Sequence, residues 1–133
     1  PSTSSAASDV YKRQITFRAV GEGTGKERDI DEFDLYYHQL IIWDKVEKRI
    51  VGGYRMGKGD EIFSRYGITG FYIFCFFKIQ SEFFPIMQKA VELGRSYIIP
   101  DYQLKRLPLF LLWKGILYFL LKSLLALSQF SLE

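Results

Sequence analysis

Cysteine and histidine are almost absent from this sequence. Cys75 is the only cysteine and His38 the only histidine among 133 residues. One thiol cannot form an internal disulfide, and no cluster of His and Cys has the spacing of metal ligands. We therefore predict no disulfide framework and no bound metal. Cys75 lies in an apolar run, so we expect it to be a buried core thiol.

A strong charge of either sign is missing as well. The formal net charge is +3, from 18 Lys and Arg against 15 Asp and Glu, and the basic residues are scattered among the acidic ones. This pattern is not typical of a nucleic-acid-binding protein, so no nucleic acid is expected as a partner. A weak attraction to anionic lipid or to an acidic carrier protein is compatible with the charge, which does not decide between them.

An uninterrupted apolar run of membrane-spanning length is also missing. Residues 107–121 are apolar except where Pro108, Lys114 and Gly115 interrupt them, whereas a span needs about 20 predominantly apolar residues. A lysine near the centre would add about 2.5–3.5 kcal/mol to the free energy of insertion. We therefore predict a core helix over 104–122, with Pro108 in its first turn. A helix that lies on a membrane surface is the alternative.

The composition that is present is typical of one globular domain. Hydrophobic residues make up 48% of the chain and charged residues 25%, which is ordinary for a globular protein. Aromatic residues, at 17%, are abundant. Their abundance favours a thick core, an apolar ligand cavity or a surface that meets lipid.

Both ends of the sequence differ in character from the rest. The stretch SSAASDVYKRQ, residues 4–14, resembles the translation of a sequencing adapter, so residues 1–14 are predicted to be an artefactual or disordered tail. The stretch SLLALSQFSLE, residues 123–133, has no turn or cap and is predicted to be read in a shifted frame. Residues 15–122 would then form a partial domain.

The predicted elements of residues 15–122 alternate between strands and helices. Strands are predicted over 15–20, 36–44, 49–56, 71–79 and 93–99, and helices over 81–91 and 104–122. Residues 36–44 and 49–56 form an antiparallel hairpin around a polar turn. Gly52 and Gly53 indicate a bulge or a close approach by another backbone, and Ser81 is a candidate helix cap.

Two connections in this pattern are predicted as loops. Residues 57–70 are expected to be a loop with at most one helical turn. The glycine-rich stretch GEGTGKERDIDEFD, residues 21–34, lacks the Gly-Lys-Ser/Thr of a Walker loop. A flexible loop is therefore the favoured interpretation of residues 21–34, ahead of a phosphate-binding site.

Five separate stretches follow, in order, the pattern of one family. They are FRAVGEGT, DIDEFDLYYHQLIIWD, RIVGGYRMG, ELGRSYIIPDYQ and LLWKGI. Together they resemble the acyltransferases labelled hemolysins in the GNAT-like superfamily, a group that includes ornithine- and glycine-lipid N-acyltransferases. The group is distantly similar to acyl-homoserine-lactone synthases. The resemblance covers nearly all of residues 15–122, whereas the family continues past residue 122.

The resemblance implies both a fold and a reaction. The fold would be α/β (α+β) and GNAT-like, with a mostly antiparallel mixed sheet flanked by helices, truncated in this chain. The reaction would move a fatty acyl group, often 3-hydroxyacyl, from the phosphopantetheine thioester of acyl carrier protein to an amino acid or related amine. This reaction belongs to aminolipid synthesis in the cytoplasm, with a peripheral contact at the inner membrane left open. No bound cofactor is implied, since the carrier's thioester is itself the donor substrate.

The chemistry of N-acylation asks for few protein groups. The amine must be neutral to attack, so a carboxylate or an imidazole should take its proton. The tetrahedral intermediate needs N–H donors aimed at its oxyanion. Because a thiol leaves readily, no covalent enzyme intermediate is required, which suits a chain whose single Cys has no evident base partner.

Three residues are candidates for catalysis. By resemblance, Glu92 is the first choice for the base or for the group that positions a water molecule, and Asp34 contributes to the same site. A salt bridge between Glu92 and Arg95 is the structural alternative. His38 is a candidate because imidazole titrates near neutral pH. A lone histidine that shares a strand face with Leu40 is, however, more often a core residue.

The remaining candidates bind the two substrates. The resemblance places the amine substrate at Asp31, Arg55 and Arg95, with Asp31 and Asp34 holding its ammonium group; the alternative for the two acids is an Asp-rich turn. Arg55 could bind a substrate carboxylate in a bidentate manner; the alternative is that it only pairs with one of the acids. The candidates for binding the acyl donor are Ser96, Tyr97, Ile98 and Lys105. The backbone of the first three would supply the N–H donors, and Lys105 would meet the carrier's acids or lipid phosphate.

Two other functions remain as alternatives. One is O-acyl transfer to a lysophospholipid or other lysolipid, whose His-x-x-x-x-Asp signature does not occur here, because in HQLIIWD Asp44 lies one residue too far from His38. The other is a non-enzymatic, membrane-acting protein, as the hemolysin label implies. A long amphipathic or uninterrupted apolar helix would support it.

Overall fold

The protein is an antiparallel three-stranded sheet with helices packed on it. The computed structural model describes residues 3–19 and 30–130. The strands, in the order β1-β2-β3, are His38–Asp44, Arg49–Lys58 and Val91–Ile98. The α-helices are α1 (Thr3–Ala19), α2 (Gly59–Tyr66), α3 (Phe84–Met87) and α4 (Arg106–Phe130). Short 3-10 helices cover Glu32–Leu35, Gly67–Gly70, Tyr72–Cys75, Ser81–Phe83 and Pro100–Tyr102. The predicted mixed α/β class is confirmed.

The hairpin of β1 and β2 is confirmed. Its register runs from His38 opposite Met56 to Asp44 opposite Arg49. The Asp44 carboxylate closes the turn by accepting the backbone N–H groups of Val46 and Glu47, at 2.9 and 3.0 Å. Such a bond from an Asp side chain to the backbone two residues on is a common way to stabilise a turn.

Strand β3 pairs with β2 and confirms the prediction for residues 93–99, starting two residues earlier. The close approach predicted at Gly52 is also confirmed. A Cβ atom on Gly52 would lie 2.8 Å from the backbone carbonyl oxygen of Tyr97. Since that oxygen belongs to the neighbouring strand, it cannot move aside, so only glycine fits.

Two hydrophobic clusters hold the elements together. One joins the sheet to α4, and the other packs α2 against the first 3-10 helix. The first cluster contains Ile42, Ile50, Val51, Tyr97, Ile99, Tyr102 and Leu112, and the second contains Phe33, Tyr37, Ile62 and Phe71.

The predicted helix over 104–122 is α4, which begins at Arg106 and places Pro108 in its first turn as expected. Leu112 and Ile116 are buried, and Gly115 lets the helix approach Leu40 closely. Phe110, in contrast, is 64% exposed. The interpretation as a core helix therefore holds for one face only. Within residues 3–19 and 30–130, none of the helices combines the length and the apolar character needed to span a bilayer.

The prediction of a strand over 15–20 is wrong where the structure describes it. Residues 15–19 belong to α1, inside which the Thr16 hydroxyl donates to the Lys12 carbonyl; Val20 lies outside the described residues. Residues 3–14 form the rest of this helix. The proposed foreign origin of the two ends, and with it the division at residues 14 and 122, stays a prediction. The glycine-rich residues 21–29 also lie outside the described part.

The prediction of a buried strand over 71–79 is wrong. Tyr72–Cys75 form a 3-10 helix, Phe76 and Phe77 are each 65% exposed, and Cys75 is exposed rather than a core thiol. The reason lies in the backbone, because the N–H groups of Tyr72 and Ile73 donate to a carboxylate of β3 and not to a neighbouring strand.

Two further boundaries differ from the prediction. Residues 57–70 contain the end of β2, helix α2 and a 3-10 helix instead of a loop. The helix predicted over 81–91 is reduced to Ser81–Phe83 and Phe84–Met87, and Ser81 makes no side-chain capping bond. It ends early because Val91 already pairs with Lys58 in the sheet.

Candidate active site

The two aspartates predicted to bind the amine lie at one short 3-10 helix. The Asp31 carboxylate accepts the Asp34 backbone N–H at 3.3 Å, and the Asp34 carboxylate accepts the Asp31 backbone N–H at 3.0 Å. This reciprocal capping box requires an acceptor at both positions, three residues apart. It fixes both carboxylates relative to one backbone turn, so the Asp-rich turn and the site are one structure.

Three arginines from different elements converge on these carboxylates. Arg55 Nη1 lies 2.6 Å from Asp31 Oδ1 and 3.3 Å from Asp34 Oδ1. Arg95 Nη2 lies 3.7 Å from Asp31 Oδ2. Arg13 of α1 donates to both oxygens of Asp34, at 3.0 and 2.9 Å. The structure thus brings together the four residues that the sequence proposed around the amine.

The charge environment keeps Asp34 ionised. Burial by itself would raise the pKa of the Asp34 carboxyl. The hydrogen bonds from Arg13 and the Asp31 backbone, together with the charges of Arg13 and Arg55, outweigh burial and hold this pKa below its usual value. An anionic Asp34 is the form that a substrate ammonium group would need.

Arg55 is enclosed on the sheet. Its side chain is 1% exposed, and its guanidinium carbon lies 5.7, 5.3 and 5.2 Å from the ring centres of Phe33, Tyr37 and Tyr72. Among the described residues, its Nε and Nη2 have no hydrogen-bond partner. These aromatic faces attract the cation, so Arg55 positions the two aspartates. Its unpartnered atoms are the donors that it retains for a further acceptor.

Glu92 occupies a different part of the site from Asp34. Its carboxylate accepts the hydroxyl of Tyr37 and the backbone N–H groups of Tyr72 and Ile73, the last two at 3.1 and 2.7 Å. Burial, followed by the hydrogen bond to Glu92, raises the pKa of Tyr37, which therefore stays a donor. Three protein donors occupy the lone pairs of Glu92, which ties β3 to the Tyr72–Cys75 segment.

His38 begins β1 and is not the core residue that its apolar neighbours suggested. Its Nε2 lies 3.0 Å from Glu61 Oε2, and the two side chains are 43% and 44% exposed. Burial would raise the pKa of Glu61, but hydrogen bonds from His38 and Lys58 lower it overall. Sequence reasoning missed Glu61, whose only signal is its i,i+3 spacing from Lys58.

A cavity of about 580 Å³ joins Asp34 and His38 on one wall. Gln39 lies between them and donates to Asp34 at 3.0 Å. The cavity has the volume of a small-molecule site, with a few polar groups among apolar ones. The other wall is apolar and comes from the sheet and α4; its members include Leu40, Ile41, Met56, Tyr118 and Phe119.

The proposed donor-binding residues of β3 line a second cavity. Ser96, Tyr97 and Ile98 border a space of about 250 Å³ together with α4. Lys105 lies apart from them, with its ammonium nitrogen 4.5 Å from the ring centre of Tyr102. The structure therefore brings three of the four predicted residues together and leaves Lys105 elsewhere.

Strand β3 is bulged beside this second cavity. Arg55 faces Gly94 and Gly53 faces Tyr97, so Tyr54 alone lies opposite two residues of β3. Arg95, one of the two, has a φ of +51°, a conformation that is uncommon for a residue with a side chain. A bulge locally disrupts the regular ladder between two strands. The role of Ser96, Tyr97 and Ile98 as a source of N–H donors stays a prediction.

No cation site stands out from these contacts. Within residues 3–19 and 30–130, no three His, Cys, Asp or Glu side chains are grouped as metal ligands would be. The acidic groups of the site are instead bound by arginines and backbone N–H groups.

The protein is a mixed α/β domain. Its antiparallel sheet has a bulged strand that leads into a long helix, and acid–arginine pairs lie beside that strand. Residues 13–113 match the family described as "Acetyltransferase (GNAT) domain". The chain belongs to this family, and the resemblance drawn from the five sequence stretches is confirmed. No solved structure matches the chain.

The chain is also similar to characterised bacterial proteins. It is 41% identical over 102 residues to the glycine N(alpha)-acyltransferase of Phocaeicola vulgatus, covering 71% of this chain and 30% of that protein. It is 37% identical over 99 residues to the Bacteroides thetaiotaomicron protein of the same name, covering 71% and 29%. It is 33% identical over 112 residues to the L-ornithine N(alpha)-acyltransferase of Rhizobium meliloti, covering 80% and 36%. The chain thus spans about a third of the length of these relatives.

Proposed function

We propose that this chain is part of an N-acyltransferase that moves a fatty acyl group from a thioester to the amine of an amino acid. The observation that carries the proposal is the cavity of about 580 Å³, in which Asp34 and His38 face apolar side chains of the sheet and α4. A cavity of this volume suits a small amine such as glycine or ornithine, the amines named in the relatives.

The first chemical requirement is a base that accepts a proton from the substrate amine. The sequence favoured Glu92 as the base, but three protein donors already bind its carboxylate. His38 borders the same cavity as Asp34. We therefore assign proton transfer to His38, and to Glu92 the positioning of Tyr37 and of the Tyr72 and Ile73 backbone.

The acyl transfer itself needs donors for the oxyanion. The amine nitrogen attacks the thioester carbonyl carbon, its proton passes to His38, the C–N bond forms, and the C–S bond breaks to release a thiol. We assign the oxyanion to backbone N–H groups of β3 at Ser96, Tyr97 and Ile98, as the resemblance implies. The adjoining cavity along Ser96, Tyr97 and Ile98 would hold the donor.

The donor and the cellular setting are the finer parts of the proposal. The donor is the phosphopantetheine thioester of acyl carrier protein carrying a 3-hydroxyacyl chain. The reaction then takes place in the cytoplasm and yields an aminolipid precursor, which partitions into the inner membrane at its surface.

Transfer assays on the purified protein, expressed from its intact reading frame, test the proposal. The protein is incubated with 3-hydroxyacyl carrier protein and, separately, with glycine, ornithine, serine and lysophospholipid, and products are read by lipid mass spectrometry. An N-acyl amino acid supports the proposal and names the acceptor. Transfer to lysophospholipid alone would make the protein an O-acyltransferase. If protein shown to be folded neither binds an amine in calorimetry nor forms a product, the proposal is contradicted.

A further inference from the structure

One side of α4 exposes a continuous apolar surface, which we call the outer face of α4. It lies opposite the buried Leu112 and Ile116, and its apolar members are each 59–64% exposed. They recur at helical spacing from the first turn of the helix to the fourth. The members are Leu107, Phe110, Leu117, Tyr118 and Leu121, together with Lys114.

Single exposed apolar residues are normal, but a contiguous apolar surface usually marks a place where another body binds. Trp113, 59% exposed, borders the outer face. Tryptophan and tyrosine are the side chains that favour the boundary between water and lipid. The size and composition of the face therefore indicate an interaction surface.

The charged residues along this helix and the turn before it all have one sign. The sequence has no acidic residue between Asp101 and Glu133, whereas Lys105, Arg106, Lys114 and Lys122 fall in that interval. All four side chains are exposed. Lysine and arginine can lay their apolar stems on an apolar surface while the charged ends reach water or phosphate. The helix is thus complementary to a body that is apolar inside and anionic at its surface.

We propose that the outer face of α4 lies on the surface of an anionic lipid bilayer. A carrier protein would satisfy the four cations but would leave the five apolar side chains in water. A second copy of the chain would cover them, yet a two-fold pairing of two outer faces brings the central Lys114 close to its own copy, where like charges repel. A bilayer with anionic headgroups accommodates both the apolar and the cationic residues.

The tip of the β1–β2 hairpin supports the same orientation. Trp43, 52% exposed, borders a cavity of about 330 Å³ together with Lys45, Lys105, Leu107 and Leu111. An exposed tryptophan and one further lysine, Lys45, therefore lie at the end where α4 begins, with Asp44 beside them. This end adds a second contact of the same chemistry to the outer face.

The inference goes beyond the proposed reaction and does not depend on it. Binding of the chain to vesicles involves neither the thioester nor the amine. Vesicle binding without acyl transfer would support the membrane-binding surface and contradict the proposed function. Acyl transfer without vesicle binding would support the proposed function and contradict the membrane-binding surface.

The test uses the whole chain and vesicles of phosphatidylcholine with or without phosphatidylglycerol. Trp43→Phe leaves Trp113 as the only tryptophan, since the chain has 2. We expect co-sedimentation with the anionic vesicles, a blue shift of Trp113 emission and quenching by brominated lipid. Replacing Lys114 and Lys122 by Gln should lower the partition coefficient about fivefold each, as expected for a basic residue near an anionic surface. Phe110→Ser should lower it about tenfold or more.

Matched substitutions away from α4 provide the controls. Ile86→Ser and Lys89→Gln change an exposed apolar and an exposed basic residue at α3 and should leave vesicle binding unchanged. Circular dichroism identifies any variant that has lost its helices, and co-sedimentation of the unsubstituted chain needs no variant.

Three results would overturn the proposal. One is equal binding to neutral and anionic vesicles, or none to either. Another is a dimer in light scattering that Phe110→Ser abolishes while vesicles do not bind, which would make the face a self-interface. The last is saturable binding of acyl carrier protein to the same face with no vesicle binding.

Discussion

Nη1 of Arg55 lies 2.6 Å from Oδ1 of Asp31, joining the middle of β2 to a turn 24 positions earlier in the chain. Arg55 is buried to 1% exposure, so its charge has almost no contact with water. Buried charges are tolerated when they are paired. This single pair therefore connects the stability of the sheet to the position of both carboxylates of the site.

We predict that Arg55→Met strongly destabilises the protein. It removes one guanidinium group from each aspartate, while Arg13 stays on Asp34 and Arg95 stays beside Asp31. Since breaking a buried pair from one side typically costs about 3–5 kcal/mol of unfolding free energy, we expect a loss near the lower end of that range. Urea unfolding measures the change. Restoring neutrality with Asp31→Asn in the same chain should recover part of the loss. A change of less than about 1 kcal/mol would show that the pair is not a main support of the fold.

A second prediction concerns the anchoring role of Glu92. Glu92→Gln weakens the acceptor for the backbone N–H groups of Tyr72 and Ile73. We expect both amides to exchange their hydrogens faster, and a stability loss of about 1–3 kcal/mol, as for hydrogen bonds to a charged group. Exchange measured by NMR gives the amide result. Glu82→Gln, an exposed change, is the control, and unchanged protection of the two amides would refute the anchoring role.

Acid should destabilise the protein through Asp34. The pKa of the Asp34 carboxyl in the folded state lies below its usual value of 3.8, because its hydrogen bonds and neighbouring charges outweigh burial. A depressed folded pKa contributes stability that is present above the unfolded pKa and is lost as pH falls through the folded pKa. We therefore expect unfolding free energy to drop below about pH 4, and Asp34→Asn to flatten that part of the profile. If the unfolding free energy of Asp34→Asn falls just as steeply with acid, the proposed role of Asp34 is contradicted.

Alkaline pH should also destabilise the protein, in this case through Tyr36. Burial, then the charge of Glu32, raises the pKa of Tyr36 from 10.0 to about 12, and its hydroxyl donates to the Gly70 carbonyl at 2.5 Å. A raised folded pKa means that this stability is complete below pH 10 and declines as pH rises through the folded value. The unfolding free energy, measured between pH 10 and about 12, should show this decline. Tyr36→Phe should remove the part of the decline that Tyr36 causes. The prediction fails if both proteins lose stability in parallel.

Two glycines of the sheet offer a matched pair. A Cβ on Gly52 would lie 2.8 Å from the Tyr97 backbone oxygen, whereas around Gly94 no heavy atom lies within 4 Å. Gly52→Ala should therefore cost about 1–3 kcal/mol, as overpacking does, and Gly94→Ala should be close to neutral. Thermal unfolding of the two variants decides. Equal losses would show that the strands can separate to admit a methyl group.

The catalytic assignment predicts a particular kinetic signature. If His38 accepts the amine's proton, His38→Gln should lower kcat by about 10²–10⁴-fold, the usual contribution of general base catalysis, with little change in KM for the amine. Transfer assays over a range of amine concentration measure both. Leu35→Ala, at an 85% exposed position, should leave both constants unchanged. A retained kcat in His38→Gln would return the role of base to Glu92.

The hairpin, β3 and α4 could be predicted from the sequence because their signals are local. Strand composition around a polar turn, a proline after β3 and another in the first turn of α4 act over a few residues. The strand expected over 71–79 shows the limit of this reasoning. Its apolar residues look like a buried strand, but Glu92, distant in sequence, holds the backbone N–H groups that a strand would need.

The candidate active site likewise has parts that the sequence predicts and parts that it does not. The spacing of Asp31 and Asp34 determined the capping box, since each side chain bonds to the backbone of the other. The sequence also supplied the arginines and the family pattern. Only the tertiary structure decided which groups meet: Arg55 closed in by three rings, Glu92 engaged by three donors, and His38 paired with Glu61. These contacts join residues 17 or more positions apart, and no local preference specifies them, because burial and charge pairing depend on how the elements pack.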